Sequence, residues 1–272
     1  MADDPWLLKL RRAQHHLQCL ETEVQGWLDG DHHTVVTKRD RKRRGYWVVL
    51  ASAEPVPYEP FGLLIGDALQ NLRSGLDHVA YRLAERFTIP LPPDVAEESE
   101  FPIFGDMDRK GNSGVGQTLF QRAGLPKIRG ADPRAQTIIE SLQPYHRGND
   151  FRTHPLWKLH ELSRIDKHRL LHPVAYHFSG AMLDTRRSYN WRLGPGKITV
   201  HSGPIVRNTV IIRYPATPIE PRKEMHMHFE PAIGIAFPDG GPVASGGAVV
   251  DTLAELYNYV SQEVVPPLMP FL

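Results

Sequence analysis

Gly66 to Arg86, GDALQNLRSGLDHVAYRLAER, decides how the rest of the chain is read. With Ile65 included, Leu69, Leu72, Leu76, Val79 and Leu83 follow at alternating steps of four and three. That is the a/d seam of a helix that packs lengthwise on another helix, and it predicts a helix over 62–87. Gly75 sits near its centre at a cost of ~1 kcal/mol relative to Ala, which is offset where a neighbouring helix or a ligand approaches closely. Off the seam stand Asn71, Arg73, Asp77 and His78. A helix that only filled a core would not need them.

The packing partner is expected upstream. Leu7, Leu8, Leu10, Leu17, Leu20, Val24 and Leu28 predict a helix over 5–28, ended by Gly30 and Asp31. Between the two helices the apolar and β-branched residues run differently. Thr34-Val35-Val36-Thr37 and Tyr46-Trp47-Val48-Val49-Leu50 predict a β-hairpin at 33–52, followed by a stiff connector at Pro55, Pro57 and Pro60. Residues 90–131 read as one long loop with an acidic cluster, Glu97-Glu98-Ser99-Glu100. Loops of that length carry function or lack order. Helices follow over 132–142, with Asp132 as N-cap, and over 154–170, with Thr153 as N-cap and Pro155 in the first turn.

From His172 the period becomes two, with Pro and Gly turns between runs, and predicts an antiparallel meander over 172–237 before a final helix at about 248–264. The expected class is α+β: a helical region, 1–170, that carries the hairpin, and an antiparallel region, 171–272, with a C-terminal helix, either separate or packed with the first as one domain.

Composition narrows the function classes. The chain has 272 residues, 41% hydrophobic and 23% charged, with a formal net charge of +1. Bulk charge therefore draws in neither nucleic acid nor membrane, and attraction of a polyanion must come from a local patch. The single Cys19 excludes an internal disulfide and suits a reducing compartment. The N-terminus, MADDPWLLKLRR, lacks the apolar stretch of a signal peptide, and no run has the length of a membrane span. The cytoplasm is the expected location, with no membrane partner. No phosphate-binding glycine loop, Gly-x-Ser-x-Gly elbow or Cys/His zinc pattern occurs, so no cofactor is expected. His226 and His228 share one face of a strand and would suit a transition metal, but further ligands at matching spacing are missing, and no metal is expected either.

Arg73 and His78 are the first candidate pair. A guanidinium matches phosphate oxygens bidentately, and an imidazole moves protons near neutral pH. Arg73-Ser74-Gly75-Leu76-Asp77-His78 resembles the Arg-to-His motif of the HEPN superfamily, helical proteins that include metal-independent ribonucleases. The resemblance implies that Arg73 holds the scissile phosphate and His78 acts as acid or base while the RNA 2′-hydroxyl attacks. Five residues set the two side chains about 140° apart around a straight helix, so a shared site requires the reach of Arg73, a local distortion or a homodimer interface. The structural alternative pairs Arg73 with Asp77 at i+4 and leaves His78 beside Asn71 and Ser74 on the other face.

Arg164-Ile165-Asp166-Lys167-His168-Arg169 is the second constellation. Basic groups in a last helical turn are favoured by the macrodipole, which accounts for Lys167, His168 and Arg169. Asp166 is not explained that way; it is expected to orient His78 or pair with Arg73 across two packed helices. The phrases IGDALQNLRSGLDH, EFPIF, LQPYH and PLWKLHELSRIDKHRLL resemble an uncharacterised bacterial protein family over roughly residues 60–175, which implies no activity. The third is Lys38-Arg39-Asp40-Arg41-Lys42-Arg43-Arg44, six basic residues in seven at the hairpin tip. A cationic β-ribbon suits a nucleic-acid backbone; the plain alternative is a solvated turn.

Together these residues lead to the expectation of a HEPN-like, metal-independent endoribonuclease. Arg73, His78, Asp166 and His168 would be catalytic, with Asn71, Asp77, Lys167 and Arg169 in support. Arg39, Arg41, Lys42, Arg43 and Arg44 would bind RNA. The competing expectation is a non-catalytic binding or interaction protein with a polar anion site between helices.

Overall fold

The computed structural model describes residues 4–40, 45–105, 118–177, 182–189, 191–193, 197–218, 226–230, 232–238 and 247–272. Two long helices, α1 (Pro5–Leu28) and α2 (Tyr58–Phe87), lie together and are joined by the hairpin β1 (His33–Asp40) and β2 (Gly45–Ala53). Their seams meet as expected: Leu10, Leu20 and Val24 share one core with Ile65, Leu69, Leu72 and Leu76. Gly75 shows why the helices approach so closely. A Cβ there would stand 3.1 Å from Leu10 Cδ2, so the compensation for this glycine is a helix contact.

Of the expected loop at 90–131, residues 106–117 lie outside the described residues, and the rest departs from it. It contains α3 (Pro93–Glu98), a π-helical turn (Phe120–Gly124) and a 3-10 turn (Leu125–Ile128). Phe101, Phe120 and Ile128 are buried in the main core. Single turns carry one or two apolar residues each, too few for a period to show. α4 (Pro133–Ser141) begins as predicted, with Asp132 accepting from Arg134 N at 2.8 Å.

α5 (Pro155–Asp166) differs at both ends. Its N-cap is His154, whose Nδ1 accepts from Leu156 N at 3.2 Å; Thr153 instead closes the preceding 3-10 segment (Pro144–Thr153). Its last residue is Asp166, so Lys167, His168 and Arg169 lie in the turn beyond it. The chain turns there to bury Leu171 against α2, where a Cβ on Gly62 would meet the Leu171 carbonyl at 2.5 Å.

The remaining elements are β3 (Val174–His177), β4 (Met182–Tyr189), β5 (Trp191–Leu193), β6 (Thr199–Val200), β7 (Gly203–Pro204), β8 (Val210–Pro218), β9 (His226–Glu230), β10 (Ile233–Ala236), α6 (Val249–Asn258) and α7 (Val265–Leu268). A π-helical turn, Tyr259–Val264, links the last two helices. The class is α+β, and every described ladder is antiparallel. The order is no meander. One sheet runs β1-β2-β8-β5 with β6 also on β8; the others are β10-β3-β7 and β4-β9. The hairpin from the first half of the chain is thus completed by a strand from the second. Two needs drive that pairing. The open edge of β2 must find partners for its N–H and C=O groups, and Val48 and Leu50 bury against Ile211 and Ile212 in a second, smaller core.

Among the described residues, no helix is long and apolar enough to cross a membrane.

Candidate functional site

Arg73 leaves α2 toward residues 100–101, the extended segment after α3. It is only 6% exposed. Its Nη2 donates to Glu100 Oε1 at 2.7 Å, to the Phe101 carbonyl at 2.8 Å and reaches Asp77 Oδ1 at 3.1 Å. Asp77 in turn accepts from Phe101 N at 3.0 Å, and Glu100 also binds Lys127 Nζ. The cluster therefore pairs two cations with two carboxylates and locks the 100–101 backbone onto α2. Burial pushes the Asp77 carboxyl up, further than Arg73 and the Phe101 amide pull it down. Burial acts on Glu100 in the same direction, but Lys127 and Arg73 outweigh it and hold that carboxyl below its usual value. One polar atom is left over: Arg73 Nη1 is buried with no acceptor.

Arg73 is thus held as the structural alternative describes, and more tightly, because Glu100 joins Asp77. His78 is half-buried and has no hydrogen-bond or ion-pair partner among the described residues. The imidazole that does approach Arg73 belongs to α5: burial lowers the His160 pKa, with the Arg73 charge as the next contribution.

Asp166 meets α2 a turn or two before Arg73. Its carboxylate accepts from Gln70 Nε2 at 3.2 Å and occupies the space that a Cβ on Gly66 would need. Gln70 Nε2 also donates to the Ser163 carbonyl at 3.3 Å. The cross-helix contact anticipated for Asp166 exists, but its partner is an amide rather than Arg73 or His78. Asn71 Nδ2 donates within its own helix to the Asp67 carbonyl at 2.8 Å. Lys167, His168 and Arg169 are exposed beyond α5, and of these Lys167 reaches the seam through its charge acting on Asp77. Arg164, the first residue of that constellation, is also held locally, its Nη2 pairing with Glu161 Oε2 at 2.8 Å.

The free end of the hairpin sheet is the opposite kind of place. Lys38 pairs with Trp47 across β1 and β2, and Trp47 with Arg213 across β2 and β8. Residues directly opposite share one sheet face, so the three form a row. The Arg213 guanidinium lies 5.1 Å from the Trp47 ring centroid, a cation–π contact. Lys38, Arg39 and Arg213 are exposed, and none has an acidic partner among the described residues. Arg41, Lys42, Arg43 and Arg44 lie outside the described residues, as do the side chains of His226 and His228 on β9. Among the described residues, no group of three or more His, Cys, Asp or Glu is placed to hold a metal ion.

Sequence reasoning missed Glu100 and Lys127 as partners of Arg73, and Trp47 and Arg213 as neighbours of the basic run. Glu100 carried a faint signal, as the last member of an acidic cluster just before Phe101-Pro102-Ile103-Phe104. Arg213 carried none, because strand pairing alone brings it beside Trp47.

No family model, no curated protein and no solved structure matches this chain.

Proposed function

We propose that this chain is a non-catalytic binding protein that takes single-stranded RNA on the free end of its hairpin sheet. The row Lys38–Trp47–Arg213 carries the reading. It couples cations that have no acidic partner among the described residues to an aromatic ring, the combination that tracks a phosphate backbone and stacks a base, and Arg39 adds a further cation at the same end. In sequence the row leads directly into Arg41, Lys42, Arg43 and Arg44. With a net charge of only +1, such a local patch is where a polyanion would be drawn.

The ribonuclease expectation fits the geometry less well. For Arg73 to clamp a phosphate it would have to give up Glu100, Asp77 and the Phe101 carbonyl. The phosphate would then sit against two carboxylates. His78 would have to act from a different face of the same helix.

The test is RNA affinity measured against salt. Wild-type protein should bind a short single-stranded RNA with a steep salt dependence. Changing Lys38, Arg39 and Arg213 together to Glu should flatten the slope by roughly 2, at about 0.7 per lost phosphate contact. An unchanged slope rejects the surface. Incubating the same RNA with protein and chelator tests the competing view. Products with 2′,3′-cyclic phosphate ends that disappear in His78→Ala would restore the ribonuclease.

A further inference from the structure

A cavity of about 390 Å³ opens at the other end of the hairpin, lined in part by Ala53, Val56, Pro173, Ala175, Ile205 and Val206. It sits where the two hydrophobic cores meet: Val56 packs on the core of the bundle, and Ala53, Ala175 and Ile205 belong to the core of the sheet. Its size is that of small-molecule pockets, which favour such junctions. The walls are mostly aliphatic, with the Tyr58 ring and three prolines, Pro55, Pro173 and Pro204, among the lining residues. Prolines lose little entropy when a ligand orders them.

Charged groups reach the cavity from two sides, and they are not equivalent. Glu54 is already engaged: its Oε2 lies 2.8 Å from His32 Nδ1, and the His32 ring is stacked on Trp27 with centroids 5.0 Å apart. Arg207 is exposed and has no hydrogen bond or ion pair with any described residue. Its backbone is nevertheless fixed. Thr209 N donates to the Val206 carbonyl at 3.0 Å, Val206 N donates to Thr209 Oγ1 at 3.0 Å, and Asn208 N donates to the Leu50 carbonyl at 2.7 Å. Asn208 adopts φ 71°, a left-handed conformation that Asn tolerates. The turn therefore holds a cation with no countercharge among the described residues at the rim of an apolar hollow.

We infer that this cavity binds a small amphipathic anion, with its apolar body against the proline and aliphatic walls and its acidic head on Arg207. A guanidinium pairs best with a planar or tetrahedral oxyanion, so carboxylates and sulfonates of medium size fit. A neutral apolar compound would fill the cavity without using the Arg207 charge. The inference is independent of RNA binding, because the cavity and the basic row lie at opposite ends of β2.

Two fluorescent dyes of the same shape test it: anilinonaphthalene sulfonate and phenylnaphthylamine, which lacks the sulfonate. The full chain should bind the sulfonate dye saturably with one site, and decanoate should displace it. Arg207→Gln should weaken the sulfonate dye about tenfold, the loss of one charge-assisted contact, and leave the neutral dye unchanged. Arg207→Lys should retain most of the affinity. Val206→Glu places a carboxylate on an exposed position at the rim and should weaken the sulfonate dye alone. Equal sulfonate affinity in wild type and Arg207→Gln overturns the inference, as does failure to bind either dye or failure of decanoate to compete.

Discussion

Arg73 and Arg213 are the same residue in two settings, and their contrast organises the molecule. Arg73 lies among two carboxylates and a carbonyl, under the 98–103 segment, and its charge is answered before any ligand arrives. Arg213 is an exposed side chain on β8, over an indole ring, with no acidic partner among the described residues. The first arginine joins elements distant in sequence and acts through stability. The second leaves its charge to solvent, where the proposed RNA would meet it. The contrast lies in the countercharge found among the described residues, which a motif does not record.

The largest effects are expected on the helical side. Leu76 is 0% exposed in the α1–α2 core, so Leu76→Ala should cost ~2–5 kcal/mol in denaturant unfolding; a loss below ~1 kcal/mol would remove it from the core seam. Arg73→Leu should cost ~3 kcal/mol, because it leaves Asp77 and Glu100 facing each other, with the usual penalty reduced by their partial exposure. Arg213→Gln should change stability by less than ~0.5 kcal/mol. Equal destabilisation by the two arginine substitutions would erase the distinction between them.

His154 sharpens the same contrast through pH. Burial pushes its pKa down to about 4, with Arg147 contributing, and its Nδ1 is occupied as the acceptor for Leu156 N. The neutral ring then carries its proton on Nε2, which can donate to the Tyr259 hydroxyl 3.2 Å away. Since the folded pKa lies below the unfolded value, the unfolded chain binds more protons under acid conditions. Stability should be fully present above about pH 6.5 and fall progressively toward pH 4, by on the order of 3 kcal/mol from this group. His154→Asn keeps a capping oxygen and should flatten that part of the profile in thermal or denaturant melts. An unchanged profile would take His154 out of the acid response.

A further effect is expected where binding is read instead of folding. Trp47→Ala should weaken single-stranded RNA by ~1–3 kcal/mol if a base stacks on the ring. It should do so at every salt concentration, because a neutral side chain releases no counterions. A change in slope with no change in high-salt affinity would mean that the ring only holds Arg213 in place.

Much of the scaffold was legible in the residues themselves. The steps from Ile65 to Leu83, the matching leucines of α1, the alternation around Val48 and the Asp132 cap are local patterns, and local patterns follow from backbone period and hydrogen-bond geometry. The end of α5 was not legible, because nothing near Asp166 reveals that Leu171 must turn back onto Gly62. The cap at its start was hidden for a related reason: Thr153 is the more common capping residue, and burial of His154 against Tyr259 decided otherwise.

The candidate site divides the same way. The sequence alone determined that Arg73 and Asp77 lie within ion-pair reach on one helix, and that the hairpin tip is cationic. Tertiary structure decided that Glu100, 27 residues away from Arg73, completes the pairing, that Asp166 goes to Gln70, and that Arg213 from the second half of the chain comes to rest on Trp47. The physical reason is that charge becomes available or unavailable through neighbours set by packing, and strands and helices distant in sequence supply those neighbours only once the two cores have formed.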